Sequence, residues 1–126
     1  MFDKNSVNAV VLVGKLGKKP ELKDVNGIQL CELSLATNQF YYDKKKEEYA
    51  TVTEWHTIPC WGKIAEKARK FNTGDQIAIN GSVRYKERVF DGKDGKIKVK
   101  VAFIDPKEIT ILNRNGNHSQ EKSSQG

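Results

Sequence analysis

From Gln76 to Arg88 the chain alternates side-chain character almost without interruption. Ile77, Ile79, Gly81, Val83 and Tyr85 share one parity, and Ala78, Asn80, Ser82, Arg84, Lys86 and Arg88 share the other. A period of 2 marks a half-buried β-strand, because successive side chains leave opposite faces of the pleat. The pattern recurs along the sequence. Cys31, Leu33 and Leu35 alternate with Glu32 and Ser34, and Ile97, Val99, Val101 and Phe103 alternate with Lys96, Lys98, Lys100 and Ala102. Val7 to Leu16 is apolar on both faces around Val10 to Val13, which predicts a central strand. A third strand is expected over about Ala50 to Cys60. Ile109 to Leu112 closes the structured part.

Turn chemistry separates these runs. Asn26-Gly27 is a hairpin signal, and Asp91-Gly92-Lys93-Asp94-Gly95 reads as a second turn. Asp43 to Glu48 is a charged loop with no net charge. Helical spacing occurs once, in Gly62 to Phe71, where Ile64, Ala65, Ala68 and Phe71 lie three and four residues apart. Asn72-Thr73-Gly74-Asp75 ends it. The order is three strands, one short helix, two strands. That order predicts a mainly all-β domain, a five-stranded OB-fold Greek-key barrel with the helix between strands 3 and 4. One domain is expected over residues 1–112. Residues 113–126 hold no apolar side chain and are expected to form a disordered polar tail.

The chain has 126 residues, a formal charge of +6 and a pI near 9.3. The charge favours polyanionic partners such as nucleic acid. No apolar run is long enough for a membrane helix, and the start lacks a secretory segment. Cys31 and Cys60 stand in apolar alternation without metal-ligand spacing, so they read as buried free thiols. A cytoplasmic, nucleoid-associated location is expected.

The two tryptophans, Trp55 and Trp61, share a strand parity with Thr57 and Pro59, whereas His56, Ile58 and Cys60 take the other, more apolar face. Flat rings on the wetter face of a basic protein are stacking platforms for bases. Packing in the core or at a subunit contact is the alternative. The segment from Arg84 to Lys100 is a second feature. Arg84, Lys86 and Arg88 share a parity, as do Lys96, Lys98 and Lys100. Pairing residue 91 with 95 would set 88 against 98 and 86 against 100, two facing rows of like charge that phosphates would neutralise. A one-residue slip would place the rows on opposite faces, and the sequence leaves that register open.

Catalytic signals are thin. His56 and His118 are the only histidines, and no carboxylate pair has a spacing suited to acid–base work. Phosphate-binding glycine motifs are absent. No catalytic residue, metal ligand or cofactor is expected.

Several stretches together resemble one family. Asn8 to Gly17 with Pro20-Glu21-Leu22 resembles the opening strand of bacterial-type single-stranded DNA-binding proteins. Leu33 to Thr37 is similar to their second-strand signature. Thr53-Glu54-Trp55-His56 with Trp61 to Glu66 is similar to their most specific stretch, and Gly74 to Arg84 to their helix exit and fourth strand. The resemblance runs over about residues 7 to 112 in unbroken order. It implies a non-enzymatic OB-fold homotetramer that binds single-stranded DNA irrespective of sequence, in replication, recombination and repair. It implies base stacking at Tyr41, Trp55 and Trp61 and Lys/Arg side chains along the phosphates, a role the hairpin pattern gives to Arg84, Lys86, Arg88, Lys98 and Lys100. It places His56 at a subunit contact. A further family tryptophan falls near Arg88, where guanidinium stacking could replace the ring or the contact could be lost. The family's acidic tip with a terminal Phe has no match in Glu121 to Gly126, so recruitment of replication enzymes through such a tip is not expected. A primosome-type OB-fold scaffold, acting through protein contacts, is the alternative. An OB-fold nuclease would need carboxylates that this sequence does not cluster.

Overall fold

The computed structural model describes residues 4–115. His118 and the expected tail beyond Asn115 lie outside the described residues. The elements are β1 (Val10–Leu16), β2 (Leu22–Val25), β3 (Ile28–Asp43), β4 (Glu48–Trp61), α1 (Lys63–Ala68), β5 (Gln76–Gly92) and β6 (Gly95–Asn113). The sheet is antiparallel throughout, ordered β4-β3-β1-β5-β6, with β2 on the β3 edge beside β1, and β6 returns against β4. The five long strands follow the Greek-key order of an OB-fold. The added strand, β2, is short and wholly exposed. It carries too little periodicity to be read from sequence, and the Asn26-Gly27 turn joins it to β3. Asn26 and Gly27 both have positive φ, 52° and 85°, and Gly27 N–H donates to Asp24 Oδ1 at 2.8 Å.

The core follows the expected parities. Cys31, Leu33 and Leu35 of β3 meet Ile58 and Cys60 of β4, Ile77 and Ile79 of β5, and Ile109 of β6. α1 plugs one end of the barrel with Ala65 and Ala68, and Phe71 follows them into the core. The helix is shorter than the spacing predicted, because the chain turns after Ala68 and Phe71 N–H donates to the Ala68 carbonyl at 3.1 Å. β1 is central, yet only its inner face is covered; Val11 and Val13 point outward and are exposed. It begins at Val10 rather than Val7. Ahead of it the Asn8 carboxamide imitates a strand, donating to the Val83 carbonyl at 2.8 Å and accepting from Val83 N–H at 2.9 Å.

Burial pushes the Cys60 thiol up to about 12 and also raises Cys31, so both sulfurs stay neutral near pH 7. They face each other in the ladder as free thiols.

β6 ends at Asn113, and the backbone beyond it is held at Asn115. Asp75 is completely buried; its Oδ2 accepts from Asn72 N–H and its Oδ1 from Asn115 N–H, both at 2.8 Å. The Asn115 side-chain amide donates to the Thr73 carbonyl at 2.8 Å. Residues 113–115 are therefore tied to the helix exit, beyond the boundary read from composition. A buried carboxylate is tolerable only with such donors.

Candidate nucleic-acid interface

The ladder defines the faces of the sheet. Trp55 lies opposite Ala36, Ala36 opposite Lys15, and Lys15 opposite Gln76, so one row crosses β4, β3, β1 and β5. Ile58, Leu35, Leu16 and Ile77 have the other parity and are buried. The Trp55 row is thus the outer face. Trp55 is 59% exposed and Trp61 48%. Both indoles stand on the outer face, as the sequence parity predicts, and neither contributes to the core.

Between them, the outer face of β3 and β4 carries Glu32, Ser34 and Thr57. These residues floor an open groove of about 490 Å³, whose side is formed by Lys18, Lys19 and Glu21 from the β1–β2 connection and by Lys23 of β2. Lys19 is fixed there by donating to the Phe71 carbonyl at 3.0 Å and Asn72 Oδ1 at 3.1 Å. Trp55 leans over Gly17. A Cβ at that glycine would lie only 2.6 Å from the indole Cη2, so the missing side chain makes the seat for the ring. Lys15 stands in the Trp55 row two strands away, about 10 Å at ordinary strand spacing.

The β5–β6 arm differs from the two facing rows of cations expected above. Its turn holds two residues, with Gly92 opposite Gly95, and Gly95 has φ 117°. Arg88 therefore lies opposite Val99, Lys86 opposite Val101 and Arg84 opposite Phe103. The pairing of 88 with 98 and 86 with 100 is corrected: the two cationic rows occupy opposite faces. Outer parity runs along β5 from Gln76 to Arg88, because both register shifts insert their extra residue, Leu112 and Lys107, in β6. Arg84, Lys86 and Arg88 are consequently on the same side of the sheet as Trp55. Lys98 and Lys100 are on the other side, opposite Val89 and Glu87. Like charges no longer confront each other, which removes the unfavourable pairing. The β5 row is partly engaged within the chain: Arg84 Nη1 lies 3.6 Å from Asp105 Oδ2, and Lys86 Nζ sits 5.3 Å from the Phe103 ring centroid.

Tyr41 is exposed, but it pairs with Ala50 on the inner parity of the β3–β4 ribbon, opposite to Trp55. Its neighbours Phe40 and Tyr42 take the outer parity. His56 lies opposite Leu35, half-buried, with Nε2 3.0 Å from Thr37 Oγ1.

Residues 7–110 match the sequence profile of the Single-strand binding protein family, most of the chain. The chain belongs to that family. Among solved structures, this family member is similar to a deletion mutant of the single-stranded DNA binding protein from Thermus aquaticus, with TM-score 0.69 and 22% identity over 87% of this chain and 52% of that one. This chain thus spans about half the length of the Thermus protein. It is also similar to a Plasmodium falciparum SSB in complex with ssDNA, with TM-score 0.66 and 26% identity over 90% of this chain and all of that one. A small single-stranded DNA-binding protein from Streptomyces coelicolor gives TM-score 0.59 and 21% identity over 82% and 93% of the two chains. The Thermus and Streptomyces likenesses establish the fold.

Sequence reasoning missed the groove lysines. Lys18 and Lys19 sit in a connection with no periodicity and Lys23 in the short strand β2, and only the β2 hairpin brings them beside the outer face. Their signal was charge density alone: four of the six residues from Lys18 to Lys23 are charged, three of them basic.

Proposed function

We propose that this chain binds single-stranded DNA irrespective of sequence, stacking bases on Trp55 and Trp61 and running the phosphates past the groove lysines and the outer row of β5. One observation carries the reading: two exposed indoles on one sheet face, joined by a groove lined with Lys18, Lys19 and Lys23. Rings give affinity without base identity, because every base has a π-face. Lysines give affinity without sequence, because they meet the backbone. The Plasmodium falciparum SSB was captured with ssDNA, and that relative supports the same ligand here. Binding rather than catalysis is the work of the family.

The finer reading is that the protein protects and organises single strands in the nucleoid during replication, recombination and repair, and works as a homotetramer. Several linked folds on one strand gain effective concentration. His56, half-buried and already bonded to Thr37, is the proposed contact residue between subunits.

The test is a tryptophan-fluorescence titration with oligo-dT at two salt concentrations, with sedimentation to give the mass. Quenching is expected, with log affinity falling linearly in log salt. Alanine at Trp55 or Trp61 should cost about 1–3 kcal/mol per stacked base, roughly tenfold per 1.4 kcal/mol. A well-folded Trp55→Ala/Trp61→Ala protein with wild-type affinity would refute the site. No quenching of the wild type at low salt would favour the scaffold alternative.

A further inference from the structure

The groove between the two tryptophans carries a negative charge on its floor. Along the outer face of the ribbon the pairs are Ala36/Trp55, Ser34/Thr57, Glu32/Pro59 and Leu30/Trp61. Glu32 therefore stands diagonal to Trp61, about 7–8 Å away. It lines the groove together with Lys18, Lys19, Lys23 and Glu21. A carboxylate beside a path for phosphates costs affinity through like-charge repulsion. That cost is offset only where the carboxylate meets a donor.

The chain itself supplies none. Glu32 is exposed, and among the described residues its side chain makes no hydrogen bond or ion pair. Its cross-strand partner is Pro59, which has no donor on its side chain or its nitrogen. Lys19 is engaged by the Phe71 carbonyl and Asn72 Oδ1. The neighbouring floor hydroxyls, Ser34 and Thr57, donate or accept as required and do not choose between bases. An ionised carboxylate only accepts, with two oxygens side by side. Among the three floor residues, Glu32 alone imposes a direction on a ligand's hydrogen bonds. The lysines on the side of the groove draw the sugar–phosphate chain toward them. The Watson–Crick edge of a base lies farthest from its sugar, so that edge reaches the floor. There guanine carries N1–H and N2–H as adjacent donors, matched to the two carboxylate oxygens. Cytosine and adenine carry one amino group beside an acceptor nitrogen. Thymine sets a single N3–H between two carbonyl oxygens, which a carboxylate repels. Charge-assisted bidentate pairs are the stronger kind.

We propose that Glu32 reads bases in the groove and favours guanine, whose N1–H and N2–H donate to its carboxylate. The groove stays open to every base, because the indoles accept any ring; Glu32 grades them. The proposal rests on the reading of the tryptophan face as a single-strand site.

The experiment lets unlabelled oligonucleotides compete with a fluorescein-labelled oligo-dT on the full-length protein. The two competitors have equal length: a thymine-thymine-guanine repeat, and the same repeat with hypoxanthine in place of guanine. Hypoxanthine differs from guanine only in lacking the N2 amine, so ring size and phosphate number are held constant. The wild type should bind the guanine repeat several-fold more tightly than the hypoxanthine repeat. That ratio should not change with salt, because both competitors present the same phosphates. Glu32→Gln and Glu32→Ala should each bind the two repeats equally. Both replace an exposed side chain, so their urea unfolding should match wild type. Glu21→Gln is the control for simple repulsion. It removes a carboxylate beside the lysines, and should raise affinity for both repeats alike and leave their ratio unchanged. Equal binding of the two repeats by the wild type would overturn the proposal while leaving the tryptophan site standing. So would a guanine preference that survives in both Glu32 variants, which would reduce Glu32 to repulsion of phosphates. Failure of the labelled oligo-dT to bind the wild type would instead remove the single-strand reading, and this proposal with it.

Discussion

Gly17→Ala should separate binding from stability. The added Cβ would sit 2.6 Å from Trp55 Cη2 and 3.5 Å from Cε3. Carbon atoms rest at about 3.5–4.0 Å, so the ring must move by roughly 1 Å or rotate away. It is free to do so, because 59% of Trp55 is exposed. The backbone accepts alanine: Gly17 is not among the positive-φ glycines, and its N–H bond to the Ser34 carbonyl, 2.9 Å, needs no change. Lower unfolded-state entropy should return about 0.4–1 kcal/mol. Net stability should therefore stay within about 1 kcal/mol of wild type, as read by urea or thermal unfolding. Oligo-dT affinity should fall by several-fold, and by no more than Trp55→Ala, whose loss is the ceiling set by one stack of about 1–3 kcal/mol. The decisive assay is the double-mutant cycle. If the glycine acts only by seating the ring, Gly17→Ala should cost nothing further in the Trp55→Ala background. Additive losses, or wild-type affinity in Gly17→Ala alone, would refute the reasoning.

Two further outcomes follow from the same geometry. Glutamine at Lys86 and Arg88 should reduce the magnitude of the salt slope by about 1.4, at roughly 0.7 per phosphate contact. Glutamine at Lys98 and Lys100, on the other face, should reduce it by less, and the reverse order would contradict the assignment of the outer face. Ending the chain after Asn113 removes the Asn115 N–H that the buried Asp75 accepts. That should cost about 1–3 kcal/mol in urea unfolding while affinity stays within a few-fold. Unchanged stability would show that the clamp carries no weight.

What could be read from the sequence was whatever burial makes unambiguous. Ile58 and Cys60 must face inward, so Trp55 and Trp61 must face outward, and the structure agrees. The same logic placed Ile77 and Ile79 in the core. It failed where neither face is buried. From Arg84 to Lys100 both faces of the arm meet water, no apolar set pins the pairing, and a one-residue difference in the turn decides which face each cation takes. Tyr41 is a similar case. Three consecutive aromatic residues on a self-paired ribbon offer no buried side to fix parity, and the family resemblance selected the one that faces away from Trp55. Asp75 and Asn115 were invisible for another reason. Their contact spans forty positions of sequence and depends on where β6 happens to end.

The position of the register shifts links the fold to the charge pattern. Leu112 and Lys107 are extra residues in β6, while β5 keeps unbroken alternation from Gln76 to Gly92. A bulge bends the strand that carries it and leaves its partner's parity intact. Because β5 is the partner, the core face of Ile77 and Ile79 is continuous with the inner face of the arm, and the cations at 84, 86 and 88 inherit the side of the sheet on which Lys15 and Trp55 lie. Had the extra residues fallen in β5, the two bulges together would have restored the parity, but one alone would have turned Arg84, Lys86 and Arg88 to the side of the buried isoleucines. Gly81 marks the place where this matters. A Cβ at this position would collide with the Asp105 backbone, 3.0 Å from the carbonyl carbon, so the strands approach there as only glycine permits. The neighbouring Asp105 then engages both Arg84 and Lys107, at 3.6 and 3.2 Å, and holds the root of the arm beside the bulge. The basic row reaches the tryptophan side of the sheet through backbone geometry set at the root of the arm, by Gly81 on the strand entering the turn and Lys107 on the strand leaving it.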